Sequence, residues 1–553
     1  MKRKILKAAG PWAGPAVLLV FGLWHLLDTR TAAAAVGGSW LLTGYVLLLA
    51  AVLSGAVLFY RLFAGNGRVL SLERVYPAAA LFLGVLYMLV LPPLSAPDEI
   101  SHYVSAYQLS SRMLGAPSND QYGYVLVRSR DWAAEDVYGS YRYEVGDDGY
   151  LRQTGAGEEG PVVLGQTLTE KTYETLYGSG GSLEARGRQL EEEAPLAVSP
   201  YPPVNTTPAA YVPQAIGISL ARLLGLGSTA LLFLGRLCNL LFFTGLTWLA
   251  MRRLPFGKEV LFGTALLPMT LHLSASFSYD VLIMGCMFWF TAVCLDLAYR
   301  QERVRVRDVV LLAALMAAAG PCKMVYASLM GLCLLIPVKK FGGWKTWLLA
   351  AAAVAGAWAA VMVLVNGQTI ALYAAETEKS VPWAAQEAGY SLSYVLRHPR
   401  ETAALFYSTL LWQLEEYHMT MIGAYLGNLD PVLSVPYGVV LLFTGALLLL
   451  ALRKPEEPVV LSGGRRIWVF AVCGLCAAAL MGSMLIAWTA MSSPVISGVQ
   501  GRYFLPFLPV LLMAVKNRRL ILTKDGNRSI LYLMCCANGY VLLRLYATVA
   551  LRL

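Results

Sequence analysis

The stretch Asp308-Val309-Val310-Leu311-Leu312-Ala313-Ala314-Leu315-Met316-Ala317-Ala318-Ala319-Gly320-Pro321-Cys322-Lys323-Met324-Val325-Tyr326-Ala327-Ser328-Leu329-Met330-Gly331-Leu332-Cys333-Leu334-Leu335-Ile336-Pro337-Val338 decides how the rest of the chain is read. It runs for about 30 residues, too long for one bilayer crossing of about 20 residues and short for two. Arg300, Arg303, Arg305 and Arg307 precede it and Lys339-Lys340 follow; such basic clusters stay on the cytoplasmic side of a membrane. Both ends therefore lie on one side, which forces a hairpin of two short helices meeting at Ala319-Gly320-Pro321. Pro321 supplies the break, because it has no N–H to continue a helix ladder. The tip carries Lys323 into or just above the outer half of the membrane, where a charge needs water or an anionic partner.

Outward from this hairpin, apolar runs of 17 or more residues recur, apolar residues make up 57% of the chain and charged residues only 14%. A soluble fold has nowhere to hide that much apolar surface. The runs do not alternate, which excludes a transmembrane barrel. The expected spans are about 12–30, 39–60, 76–93, 229–251, 259–274, 280–299, 309–320, 322–338, 346–365, 434–452, 467–490, 503–515 and 529–548. The fold class expected is an all-α polytopic integral membrane protein with about 13 transmembrane helices (11–14). Residues 1–74 read as anchor helices and 75–365 as a transmembrane core that includes a first outer loop, 94–227. Residues 366–433 read as a second outer loop and 434–553 as C-terminal helices. Met1-Lys2-Arg3-Lys4 resembles the start of a signal peptide, but no small-residue cleavage site is clear, so a retained anchor with a cytoplasmic N-terminus is expected.

The formal charge of +10 does not point to nucleic acid. Of the 44 Lys and Arg, 26 fall in the N-terminus and the short loops, with Arg252-Arg253 and Lys516, Arg518 and Arg519 marking further inner ends. The loop from Ser95 to Gly227 carries 17 acids against 9 bases and repels phosphate backbones. Alternation at Tyr122–Val127 and Tyr141–Val145, among Gly, Asp and Glu, predicts an irregular α+β insert over about 115–200, and Thr207–Leu224 predicts a helix along the interface. The second outer segment, about 366–434, reads as largely helical. All nine cysteines lie in apolar segments, including Cys473-x-x-Cys476 and Cys535-Cys536, and read as packing residues.

The sharpest local feature is Pro92-Pro93-Leu94-Ser95-Ala96-Pro97-Asp98-Glu99-Ile100-Ser101-His102, just where the third span emerges. Two carboxylates and a histidine pinned by prolines suit a general base, since a carboxyl at a low-dielectric boundary is pushed toward neutrality. The same Asp98, Glu99 and His102 also suit a divalent cation, Mg or Mn. The plain alternative is a solvated helix start with Asp98 as N-cap. Arg236, inside a span with Asn239, is either functional or snorkels to the interface. His272 and Asp280 flank a polar loop, with Asp280 either a site carboxylate or a helix cap. Gly498-Val499-Gln500-Gly501-Arg502-Tyr503 offers glycines for close approach to a ligand and an arginine for phosphate, or simply a tight turn. Under the expected topology, Asp98, Glu99, His102, His272, Asp280, Lys323 and Arg502 all lie near one face.

Taken in order, these pieces resemble domain-of-unknown-function family 2142, bacterial membrane proteins related to the GT-C superfamily of glycosyltransferases. The resemblance rests on Pro97-Asp98-Glu99, His102, Ala106-Tyr107-Gln108-Leu109-Ser110, Tyr211-Val212-Pro213-Gln214 and Arg236-Leu237-Cys238-Asn239. It continues through Ser278-Tyr279-Asp280, Lys323-Met324-Val325-Tyr326 and Gly498 to Pro506, covering about residues 75–515. It implies a GT-C-like enzyme of the bacterial cytoplasmic membrane, acting on a polyprenyl-phosphate sugar donor and an envelope glycan, lipid or protein acceptor at the outer face. Asp98 is then the general base and Glu99 its support or a metal ligand. Lys323, Arg502 and Arg236 are expected on the donor phosphate, with His102, Tyr107, Gln108, Tyr211, Gln214, His272, Tyr279, Asp280, Tyr326, Gln500 and Tyr503 on the substrates. Two spans before the Asp-Glu helix and the acidic insert depart from many relatives. The rival classes are a transporter or flippase for lipid-linked saccharides and a non-enzymatic envelope scaffold. A transporter calls for polar groups along a path through the bilayer, whereas here they gather at one face.

Overall fold

The structure is a computed structural model that describes residues 2–64, 70–157, 160, 162–178, 182–374, 380–455, 457, 461–517, 519–522 and 524–552. Of the basic clusters read above, Arg518 and the side chains of Met1 to Lys4 lie outside the described residues.

In lipid a backbone amide has no partner but its own helix, so the long apolar segments become helices. α1 (Lys2–Val36) and α2 (Ser39–Ala64) form a helical hairpin, and α3 (Leu72–Val90) follows and stops before Pro92-Pro93. α4 (Glu99–Met113) leads into the insert, where β1 (Leu126–Arg128), α5 (Ser129–Trp132), β2 (Tyr141–Val145), β3 (Leu151–Ala156), α6 (Glu170–Tyr177), α7 (Ser182–Glu193) and β4 (Leu196–Val198) follow in turn. The sheet order is β1-β4-β3-β2, antiparallel at Leu126↔Val198, with the two halves joined by a single parallel pairing, Leu151↔Ala197. The insert is therefore α+β with one ordered mixed sheet. α8 (Val212–Leu223) returns to the bundle with Val212, Ile216, Leu220 and Leu223 exposed at helical spacing, an apolar face suited to an interface.

α9 (Ser228–Arg253) crosses to the opposite end, and α10 (Lys258–Ala265) and α11 (Pro268–Ser274) come back. α12 (Asp280–Tyr299) is the centre of the bundle, 94% of its apolar window being buried. α13 (Val306–Ala319) and α14 (Trp344–Ala374) flank the hairpin read first, and α14, only 17% buried, is an outer helix. Beyond a short hairpin of β5 (Ser380–Val381) and β6 (Glu387–Ala388) come α15 (Leu392–Arg397), α16 (Pro399–Ile422) and the hairpin β7 (Tyr425–Leu426)–β8 (Asp430–Ser434). α17 (Tyr437–Ala451), α18 (Gly463–Trp488), α19 (Leu508–Val515) and α20 (Asn527–Leu551) complete the chain, α20 packing against α1 and α2.

Among the described residues, eight helices are long and apolar enough to cross a membrane: α1 to α3, α9, α12, α14, α18 and α20. Five of the 13 expected spans are shorter or broken helices. The stretch 259–274 is broken into α10 and α11, with Pro268 at the start of the second. α13 and α17 are 14 and 15 residues long, or about 21 and 23 Å at 1.5 Å per residue, short of a core about 30 Å thick. The stretch 503–515 is a 3-10 turn, Gly501–Phe504, followed by the eight residues of α19. The second limb of the Asp308–Val338 hairpin is a 3-10 helix, Met324–Leu335. At about 2.0 Å per residue a 3-10 helix reaches further than an α-helix of equal length, which suits a limb bounded by Lys323 and Pro337.

The hairpin itself closes as expected. The Val304 amide donates to the Lys340 carbonyl at 2.9 Å, and Lys340 Nζ caps the end of α12 through the carbonyls of Leu297, Ala298 and Gln301. At the same end Arg253 bridges Asp296 (2.7 Å) and Asp308 (2.6 Å). The tip, Gly320–Lys323, points the other way, toward the insert.

Candidate active site

The chain leaves α3 through a strained turn. Leu94 and Asp98 both adopt the left-handed backbone (φ 66° and 59°), which costs a side-chain-bearing residue free energy unless its surroundings enforce it. The surroundings are tight: Gly165 of the insert (φ 79°) sits so close that a Cβ there would lie 2.5 Å from the Pro93 carbonyl oxygen. The turn sends two adjacent carboxylates in opposite directions. Asp98 stands at the N-cap position of α4 but makes no capping bond, and its side chain is 67% exposed. Glu99 has no exposure at all.

Glu99 belongs to a sealed knot. Its Oε2 accepts from the Ala96 amide at 2.8 Å and its Oε1 from the Phe277 amide at 2.9 Å, with Arg236 Nε 3.5 Å away. Burial raises the Glu99 pKa, and Arg236 and the amides oppose it. Arg236 donates to the carbonyls of Ala275 (2.5 Å), Met88 (3.1 Å) and Leu91 (2.8 Å). Asn239 holds the carbonyls of Ser276 and Ser278, and Gln214 that of Phe277. Four buried side chains thus grip four consecutive residues, 275–278, and so fix where Tyr279 and Asp280 begin α12. Arg236 neither snorkels nor offers a face to a donor phosphate, because its guanidinium is wholly buried against carbonyls. Gln214 likewise faces backbone and not substrate.

Above the knot lies an open cluster. Arg502 Nη2 donates to Asp98 Oδ2 at 2.8 Å, and Arg502 Nε lies 3.7 Å from Asp280 Oδ2. That Nε is buried and has no hydrogen-bond acceptor, although the whole side chain is only 4% exposed. Lys323 Nζ stands 3.7 Å from the other Asp280 oxygen and 3.3 Å from the centre of the Tyr503 ring, a cation–π contact. The anionic partner required for Lys323 is therefore Asp280, whose alternative reading as a mere helix cap does not describe it. Tyr326 donates to the Tyr503 carbonyl at 2.8 Å and fixes the Gly501–Phe504 turn against the hairpin. On its other side the Gly501 amide donates to Thr420 Oγ1 (2.9 Å) of α16, and a Cβ on Gly501 would collide with the Tyr417 carbonyl. The close approach that this glycine permits is thus to a neighbouring helix, not to a ligand.

His102 Nδ1 is 2.7 Å from the Tyr211 hydroxyl, and its ring meets Tyr279 edge-on. Burial lowers its pKa to about 4, against the pull of Asp280 and Asp98. His102 is therefore a neutral wall of the site at neutral pH. Asp98, Glu99 and His102 do not converge: each has its own partner, and among the described residues no group of three His, Cys, Asp or Glu is placed to hold a metal ion. These residues do not fit the divalent cation expected of them.

Three further expected contacts lie elsewhere. Tyr107 donates to Asp131 Oδ2 at 2.6 Å inside the junction of α4 with the insert. His272 is buried beside the Gly427 carbonyl, at 3.2 Å, behind the site. Gln108 bonds Asn119 and lines a separate cleft. Gln500 is half-buried beside the Gly501 turn, its Oε1 without a partner. Sequence reasoning missed the residues that hold the hairpin tip: Asn366 Nδ2 and Thr206 Oγ1 both donate to the Pro321 carbonyl. The one available signal was Asn366, a polar residue at the end of an apolar run.

A family model described as a predicted membrane protein (DUF2142) matches residues 81–511, a range containing every residue of both clusters. No curated protein and no solved structure matches the chain.

Proposed function

We propose that this chain, which belongs to the DUF2142 family of predicted membrane proteins, is a membrane glycosyltransferase that moves a sugar from a polyprenyl-phosphate-linked donor to a cell-envelope acceptor. The observation that carries the reading is the open cluster itself: an exposed carboxylate, Asp98, tied through Arg502 to a second carboxylate and to Lys323. In the reaction Asp98 takes the proton of an acceptor hydroxyl as that oxygen bonds to the anomeric carbon of the donor sugar. The bond from the anomeric carbon to the phosphate oxygen breaks, and its electron pair leaves with the polyprenyl phosphate. Lys323, the more accessible of the two cations, stabilises the charge that develops there, with the buried Arg502 adding its field from behind. Asp280 holds the two cations in register, and Glu99 acts only by fixing the loop from which Asp280 springs. The retention of 26 basic residues in the N-terminus and short loops supports an orientation with the N-terminus in the cytoplasm of a bacterial cell and the site on the outer face. The sealing of the Glu99–Arg236 knot by backbone groups disfavours a transport path through it.

Native mass spectrometry of the purified protein tests this reading. Bound polyprenyl phosphate is expected, with occupancy at least about tenfold lower in Lys323→Ala. Only bulk phospholipid, unchanged by that substitution, would overturn it.

A further inference from the structure

The face of α4 that carries His102 continues away from the open cluster. Ser105, Leu109 and Arg112 follow His102 at spacings of three, four and three residues, so they share one side of the helix. With Gln108 they form one wall of a cleft of about 260 Å³. The opposite wall is Pro203–Thr206, and the inner end is Tyr211, whose hydroxyl touches His102. The cleft is therefore joined to the proposed site through a single tyrosine. Its second wall also reaches the hairpin tip, since Thr206 bonds the Pro321 carbonyl two residues before Lys323.

The walls are mixed. Hydroxyl and amide groups from Ser105, Gln108 and Thr206 alternate with the flat faces of Pro203, Pro208 and Leu109. A pyranose has the same character, with hydroxyls at its edge and C–H groups on its faces. The far end carries Arg112, which is exposed and makes no ion pair among the described residues. The segment from Ser95 to Gly227 holds 17 acids for 9 bases, of which Arg128, Arg130, Arg152 and Arg186 are each paired with an acid; among the bases left without such a pair, Arg112 is the one that lines this cleft. From Asp98 to Arg112 the helix rises about 21 Å at 1.5 Å per residue, the length of a few sugar units.

We infer that this cleft is the acceptor subsite and that the acceptor is an anionic saccharide, its terminal hydroxyl at Asp98 and a carboxylate or phosphate a few units back at Arg112. The assignment rests on the transferase reading for its role, but not for its binding chemistry. Binding of defined saccharides to the full-length protein in nanodiscs, without any donor, separates the two. The probes are a tetrasaccharide alternating glucuronate with N-acetylglucosamine, a mannose tetrasaccharide bearing one phosphate, and the neutral tetramer of N-acetylglucosamine. At least one anionic probe is expected to bind about tenfold tighter than the neutral one, and Arg112→Gln is expected to erase that preference. Which anionic probe wins identifies the charge as carboxylate or phosphate. Equal binding of all three probes, no binding of any, or a preference that survives in Arg112→Gln would overturn the inference. None of those results would touch polyprenyl-phosphate binding, so the subsite can fail while the transferase reading stands.

Discussion

Asp98 and Glu99 are neighbours in sequence and opposites in structure. Each is a carboxylate beside an arginine, yet Glu99 meets Arg236 in a volume closed to solvent, and Asp98 meets Arg502 at an open edge. The closed pair is completed by backbone: two amides on the acid and three carbonyls on the base. The open pair is left incomplete, with Arg502 Nε unsatisfied and most of the Asp98 carboxylate in solvent. A satisfied buried charge pair holds geometry, because removing either member leaves an orphan. An unsatisfied one has capacity to spare for a substrate. The difference teaches that a charged pair is read by what remains unpaired, not by its charge.

Arg236→Met breaks the closed pair and should have the largest effect. It leaves Glu99 without its counter-charge and three carbonyls without a donor, at a cost of about 3–5 kcal/mol, read as a lower unfolding midpoint in detergent; an unchanged midpoint would show that the knot is not structural. Gly501→Ala sharpens the comparison from the other side. The added methyl meets the Tyr417 carbonyl and pushes the Arg502 turn off α16, which should cost about 1–3 kcal/mol and weaken donor binding together with stability. Loss of stability with donor binding intact would detach Arg502 from the site.

The pH dependence is a third test. His102 is held neutral in the folded state with a pKa lowered to about 4, so the unfolded chain binds the extra proton first as pH falls. Its contribution to stability is complete above pH 6.5 and is lost on acidification, by about 2 kcal/mol at pH 5. Burial raises Glu99, whose contribution therefore runs the other way and declines as pH rises. The two are separated by comparing the acid limb of the wild type with that of His102→Asn, which should be shallower; parallel limbs would contradict the buried neutral histidine. The smallest effect should come from Asp98→Asn. Asparagine also tolerates the left-handed backbone, so the unfolding free energy should change by less than about 0.5 kcal/mol.

Much of this was legible in the sequence. The apolar runs marked the helices, and the basic flanks with Gly320-Pro321 gave the hairpin and the position of Lys323. The ordered motifs named most of the residues that assemble here. What was not legible turned on single residues. Whether Asp98 or Glu99 faces inward depends on one left-handed residue, and periodicity has no meaning across a turn of that kind. Arg236 and Gln214 looked like ligand-binding groups because the sequence shows a buried donor without showing the carbonyls that satisfy it. The breaks within individual spans were not legible where Pro268, Pro506 and Pro509 interrupt apolar runs that hydropathy treats as continuous. The sheet of the insert rests on short strands whose pairing, β3 beside β4, joins residues far apart in the chain.

The most direct test sets the two neighbours against each other. Single-turnover transfer from a polyprenyl-phosphate sugar, in membranes containing Asp98→Asn or Glu99→Gln, is measured per folded molecule. Asp98→Asn should fold normally and lose about 10²–10⁴-fold in rate, while Glu99→Gln should lose folded protein but keep its rate per folded molecule within about tenfold. Wild-type transfer by Asp98→Asn, or an equal loss of rate per folded molecule in both variants, would contradict the division between the open pair and the closed one.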